Sequence, residues 1–76
     1  MQSTRELDCL GKACPVPVIE LAKAMTDLPM GDSIVVLSDD PGAKVDIPVW
    51  CRMKRQELTD VTEDGTTYRF TVRKVA

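Results

Sequence analysis

The chain has 76 residues, 43% of them hydrophobic and 29% charged, with only one Trp, one Tyr and one Phe and a formal net charge of −2. This length suits one domain near the lower limit at which a core is stable unaided, and that core must be aliphatic. The mild acidity argues against direct nucleic-acid binding, no apolar stretch is long enough to span a bilayer, and the few polar residues before the first strand-like segment leave no room for a leader, so a cytoplasmic protein is expected.

Glu6 to Leu10 reads as a short strand closed by Gly11. Pro15 to Leu28 reads as a helix, because Val18, Leu21, Ala22, Met25 and Leu28 share one face while Glu20, Lys23 and Asp27 lie off it. Pro29-Met30-Gly31-Asp32 breaks that helix. Ile34-Val35-Val36-Leu37 is a continuous apolar run, the pattern of a central strand in a parallel pair. Ser38 to Gly42 is a loop. A second helix falls between Ala43 and Arg55; Pro48 is awkward in a helix interior, so the regular part is expected to start at Asp46, with the Asp46 side chain as its cap. Ile47, Trp50 and Cys51 share a face there, and Arg52, Lys54 and Arg55 complement the dipole at its end. Asp64-Gly65 is a two-residue turn signal joining Leu58–Glu63 to Thr67–Lys74 as a hairpin. Tyr68, Phe70 and Val72 alternate with Arg69, Thr71 and Arg73, whereas Leu58 and Val61 break strict alternation. The order is βαβαββ, and a two-layer sandwich is the economical packing for so short a chain.

The tetrapeptide Cys14-Pro15-Val16-Pro17 carries the chemistry. Pro15 suits the first helical position, which makes Cys14 the expected N-cap residue, facing the free N–H groups and positive dipole end of the first turn. A thiol so placed has a lowered pKa. Pro17 removes a further donor, leaving the N–H groups of Val16 and Val18 for an anion. The bland alternative is a small residue closing a loop. In a parallel β-α-β unit Cys14 falls at the same sheet edge as the Ser38–Gly42 loop. There Lys12 adds positive charge or is simply a solubilising residue, Asp39 and Asp40 oppose a sulfur anion if they point inward, and Asp40 has capping of the second helix as its alternative.

Three cysteines cannot form a complete disulfide framework, and with no histidine a zinc site lacks ligands, so neither metal nor cofactor is expected. The same lack removes the base of a Cys-His hydrolase, and Cys-Pro-Val-Pro lacks the second thiol of a Cys-x-x-Cys motif. What remains is one activated thiol without its own acid–base machinery, which suits a relay. Cys51 reads as core. Cys9 reads as a packed residue, with resolution of a Cys14 adduct as the alternative, and Arg52, Lys54 and Arg55 read as a solvated helix end or, alternatively, a docking patch.

Leu7-Asp8-Cys9, Gly11, Cys14-Pro15-Val16-Pro17, Gly31-Asp32, Asp39-Asp40-Pro41-Gly42 and Asp46-Ile47-Pro48 together resemble the TusA/SirA-like family of small sulfur carriers, from about Leu7 to Lys74. The resemblance implies one sulfur-carrier domain over residues 1–76, of α/β (α+β) two-layer form, with two helices on one face of a four-stranded mixed sheet. It implies that Cys14 accepts a sulfane sulfur from a cysteine desulfurase or rhodanese-type donor and passes it to an acceptor protein, with Pro15, Pro17 and Gly11 shaping the site. tRNA thiolation, sulfur oxidation and other sulfur-trafficking routes all remain open on this motif. A regulatory module without sulfur relay and a Cys9/Cys14 redox sensor are the rival readings.

Overall fold

The computed structural model describes residues 4–13 and 15–76. In chain order the elements are β1 (Thr4–Asp8), α1 (Val16–Asp27), β2 (Ser33–Ser38), α2 (Ala43–Lys54), β3 (Glu57–Asp64) and β4 (Thr67–Arg73). The sheet order is β1-β2-β4-β3, with β1 and β2 parallel and the other two pairs antiparallel. Ile34 and Val36 of β2 and Phe70 and Val72 of β4 pack in one buried cluster with Leu21 and Met25 of α1 and Ile47 and Cys51 of α2. Both helices therefore cover the same face, and the α+β two-layer sandwich is the observed fold. No helix is long and apolar enough to cross a membrane.

The helices follow the apolar spacing, with two shifts at their starts. Pro17, Leu21 and Met25 recur every four residues and are buried on α1, which ends at Asp27 with Leu28 as its C-cap. Leu28 is extended (ψ 128) because Pro29 follows it, and Lys74 Nζ donates to the Met25 carbonyl at 2.8 Å. The second helix begins at Ala43, not Asp46, and Asp46 is not its cap. Backbone carbonyls start the turn: the N–H groups of Ala43, Lys44 and Val45 donate to Asp40, Pro41 and Gly42 at 3.0–3.1 Å. Pro48 lies inside α2, where it removes only the bond that would have reached the Lys44 carbonyl. Asp46 falls in the first turn, where its charge meets the positive end of the dipole.

The hairpin turn also moves by one residue. Asp64 pairs with Thr67, so Gly65-Thr66 forms the turn, and Gly65 takes φ 63, a conformation open to glycine at little cost. A bulge between Leu58 and Asp60 accounts for the broken alternation: Leu58 opposes Val72 and Val61 opposes Phe70, so both face the helices. Thr59, the extra residue, donates its hydroxyl to the Thr71 carbonyl at 3.2 Å. The other sheet face carries Arg73 opposite Glu57 and Arg69 opposite Thr62, with Val35 buried on β2 between them. As the outer strand, β3 carries Glu57, Asp60, Glu63 and Asp64, all exposed. Glu63 pairs with Lys44, whose Nζ also lies 5.3 Å from the Tyr68 ring centroid, tying α2 to the hairpin.

Arg55 closes α2 in the left-handed region (φ 58, ψ 35) while Gln56 N–H reaches back to the Cys51 carbonyl at 2.9 Å. A non-glycine residue there is strained by about 1 kcal/mol. Arg55→Gly relieves that strain at an entropic cost, and we expect a net gain of about 0.5 kcal/mol in urea unfolding with an unchanged m-value.

Candidate functional site

The parallel pairing of β1 and β2 delivers the loops that follow them to one edge of the sheet. Cys9 N–H extends the ladder by donating to the Leu37 carbonyl at 2.9 Å. A turn follows at once, closed by Lys12 N–H on the Cys9 carbonyl at 3.2 Å, with Gly11 at φ 78 in the third position that a type II turn reserves for glycine. Leu10 N–H is taken by Asp8 Oδ1 at 3.0 Å. Gly11 N–H points across to the second loop, where both carboxylate oxygens of Asp39 accept it at 3.1 Å. The next described bond runs from Val16 N–H to the Ala13 carbonyl at 3.0 Å, and Pro15 (φ −93, ψ 14) is the N-cap residue of α1. Cys14, the expected N-cap, lies outside the described residues. The helix start is thus one residue later than the sequence implies, and Pro17 is at its second position, buried.

This start changes the electrostatics expected at the tip. Pro15 and Pro17 have no amide hydrogen and that of Val16 is spent on Ala13, so the Val16 donor is not left for an anion. The first donors of α2 are likewise engaged by carbonyls of residues 40–42. The fields of both helix dipoles act at that edge as well. Gly11, Lys12, Ala13, Asp39, Asp40 and Pro41 line a concavity of about 330 Å³. Asp40 turns toward the start of α2: its Oδ1 lies 3.4 Å from Gly42 N–H, and its own N–H donates to the fully buried Ser38 Oγ at 3.2 Å. Gly11, Lys12, Asp39 and Asp40 are therefore brought together, as the parallel unit implies.

Arg52, Lys54 and Arg55 are not part of that group. All three are exposed at the far end of α2, about 15 Å along its axis from Gly42, where Lys54 joins Trp50, Gln56 and Lys74 around a cleft. A feature that the sequence reading passes over lies nearer. Val45, Val49 and Met53 recur every four residues on α2 and are 66%, 47% and 72% exposed, forming a second apolar stripe opposite the buried one. Val49 and Met53 line a shallow groove with Pro15, Val18, Asp46 and Trp50, so this apolar surface continues to the start of α1. The spacing was the available signal; the buried Ile47/Cys51 stripe masks it.

A four-stranded βαβαββ sandwich whose parallel-strand edge carries a Cys-Pro-x-Pro segment defines a class of small thiol-bearing proteins. The family model described as Sulfurtransferase TusA matches residues 5–74, and the chain belongs to that family. Sulfur transfer is accordingly its role in broad terms. The crystal structure of a SirA-like protein from Desulfitobacterium hafniense superposes with a TM-score of 0.83, covering 97% of this chain and 100% of that chain at 22% sequence identity, which shows a shared fold.

The other two thiols are in the core. Cys9 is fully buried and Cys51 nearly so, neither in a disulfide. Desolvation raises the pKa of Cys9, against a smaller lowering by Lys12, and lifts that of Cys51 from 9.0 to about 11. A raised folded-state pKa stabilises the protein below the unfolded value and loses that contribution as pH rises through the folded value. Between pH 9 and 11 the urea midpoint of the wild type should therefore fall more steeply than that of Cys51→Ala, whose curve lacks this titration; parallel curves would contradict the assignment.

Proposed function

We propose that this chain is a sulfur carrier of which residues 1–76 form one domain, and that Cys14 is the residue that carries the sulfur. The observation that supports this most is the accounting of thiols: Cys9 and Cys51 are buried with raised pKa values, which leaves Cys14, next in the chain after the exposed residues Gly11, Lys12 and Ala13 at the parallel-strand edge. Gly11 permits the first turn, and Pro15 and Pro17 set the start of α1. Lys12, exposed and two residues away in sequence, adds a positive charge to an edge that otherwise carries Asp39 and Asp40.

The step is a thiol–persulfide exchange. The Cys14 thiolate attacks the outer sulfur of a donor protein's persulfide, a new S–S bond forms on Cys14, the donor's S–S bond breaks, and the electron pair leaves on the donor cysteine as its thiolate. No net oxidation occurs and no separate base is needed once the attacking thiol is ionised. The Cys14 persulfide is passed to an acceptor thiolate by the same displacement. A cysteine desulfurase or rhodanese-type protein fits as donor, a second protein as acceptor, in a cytoplasmic route such as tRNA thiolation or sulfur oxidation. The apolar surface formed by Pro15, Val18, Val49 and Met53 beside the carrier position favours delivery by contact with a protein. The basic cluster at the other end of α2 serves there, if at all, in long-range steering. Burial of Cys9 weighs against a Cys9/Cys14 redox pair, because an attacking thiol must be both ionised and accessible.

After incubation of the reduced protein with a cysteine desulfurase and cysteine, followed by alkylation, intact mass should show one added sulfur that maps to Cys14. Cys14→Ser should take up none while retaining the wild-type circular dichroism and melting temperature. Sulfur uptake that persists in Cys14→Ser would overturn the reading.

A further inference from the structure

We propose that Asp39 is a positioning residue for sulfur transfer, holding the turn before Cys14 through the Gly11 amide; this rests on Cys14 being the carrier. Three observations converge on it. Both Asp39 oxygens lie 3.1 Å from Gly11 N, 28 positions away in sequence, and this side-chain hydrogen bond joins the β1–α1 loop to the β2–α2 loop. Gly11 N–H belongs to the central peptide of the Cys9–Lys12 turn, so an acceptor there selects the peptide orientation that accompanies φ 78. A Cβ built at Gly11 meets nothing within 4 Å, so steric crowding at that Cα does not constrain the turn, and the Asp39 contact ties it across to the second loop.

Asp39 itself is anchored behind. It follows Ser38, which is the last residue of β2, fully buried, and paired with Tyr68 on β4. Asp40 is fastened on the other side by Ser38 Oγ and by the start of α2. The carboxylate thus transmits the position of the rigid sheet edge to the exposed residues 11–13, which precede Cys14 in the chain. Displacement at sulfur requires the attacking atom to approach along the S–S axis, and misplacement by about 1 Å can cost on the order of 100-fold in rate. Asp39 acts on that alignment and not on partner binding: it lies outside the apolar groove beside Pro15.

Asp39→Ala removes the acceptor, whereas Asp39→Asn keeps an oxygen for Gly11 N–H and removes the charge. With a cysteine desulfurase as donor, Asp39→Ala should lower the saturating rate of sulfur acceptance about tenfold, with half-saturating donor concentration within about twofold of wild type, while Asp39→Asn stays close to wild type in both. The Gly11 amide proton should move upfield and exchange faster with solvent in Asp39→Ala only. An unaltered saturating rate in Asp39→Ala, a Gly11 amide that does not respond to it, or an equal loss in both variants would overturn the positioning role. A wild-type protein that loads no sulfur would instead sink the carrier reading, and the Gly11 amide comparison still reports on the contact in that event.

Discussion

Parallel pairing of the first two strands is the constraint on which the site depends. Leu7 opposite Val36 and Asp8 opposite Leu37 fix the register, and the Cys9–Leu37 hydrogen bond carries it one residue past the strand. Two parallel strands end at the same edge, so the loops after them meet without any contact designed for that purpose. α1 is the crossover that makes the pairing possible, and the helix start is also where the reactive segment sits. Fold and site are thus consequences of one geometrical requirement. The antiparallel hairpin completes the sheet on the other side of β2, and at that edge it supplies Tyr68 beside Ser38 and the Glu63 partner of Lys44.

The two described cysteines are both held away from solvent. Cys9 and Cys51 share the aliphatic core with Leu21, Ile34 and Phe70, where a thiolate is penalised by desolvation. In a carrier protein this arrangement has chemical value: a persulfide outer sulfur can be attacked by any nearby thiolate, and buried protonated thiols do not compete. The small aliphatic core can accept two cysteines because each fills space as a compact apolar residue.

Element types and order were legible because each helix and strand carries its own period, as in the Leu21/Met25 stripe and the Tyr68-Phe70-Val72 alternation. Boundaries were less so. β1 pairs over Thr4–Asp8 although Leu10 looks like a strand residue, because the Asp8 carboxylate captures Leu10 N–H and turns the chain. Pro48 suggested a late start for α2, yet the backbone carbonyls of residues 40–42 nucleate the helix ahead of it. The Thr59 bulge cannot be read from β3 alone, since it exists to match Val72 and Phe70 on the neighbouring strand. At the candidate site, Gly11 and the two aspartates were legible as neighbours from topology. That Asp39 takes the Gly11 amide while Asp40 turns to α2 was not, because adjacent identical residues differ there only in the direction that the loop gives them.

The outer position of β3 bears on how such a chain survives at high concentration. An unpaired strand edge is a template on which a second molecule can extend the sheet, and an eight-residue strand is long enough to serve. Here the Thr59 bulge interrupts the row of backbone groups, and four carboxylates place like charges against like in any edge-to-edge pairing of two copies. The first barrier is steric and indifferent to solution conditions. The second is electrostatic, and it weakens as salt screens the charges. High ionic strength is therefore the condition that leaves the bulge as the remaining barrier to self-association through this edge.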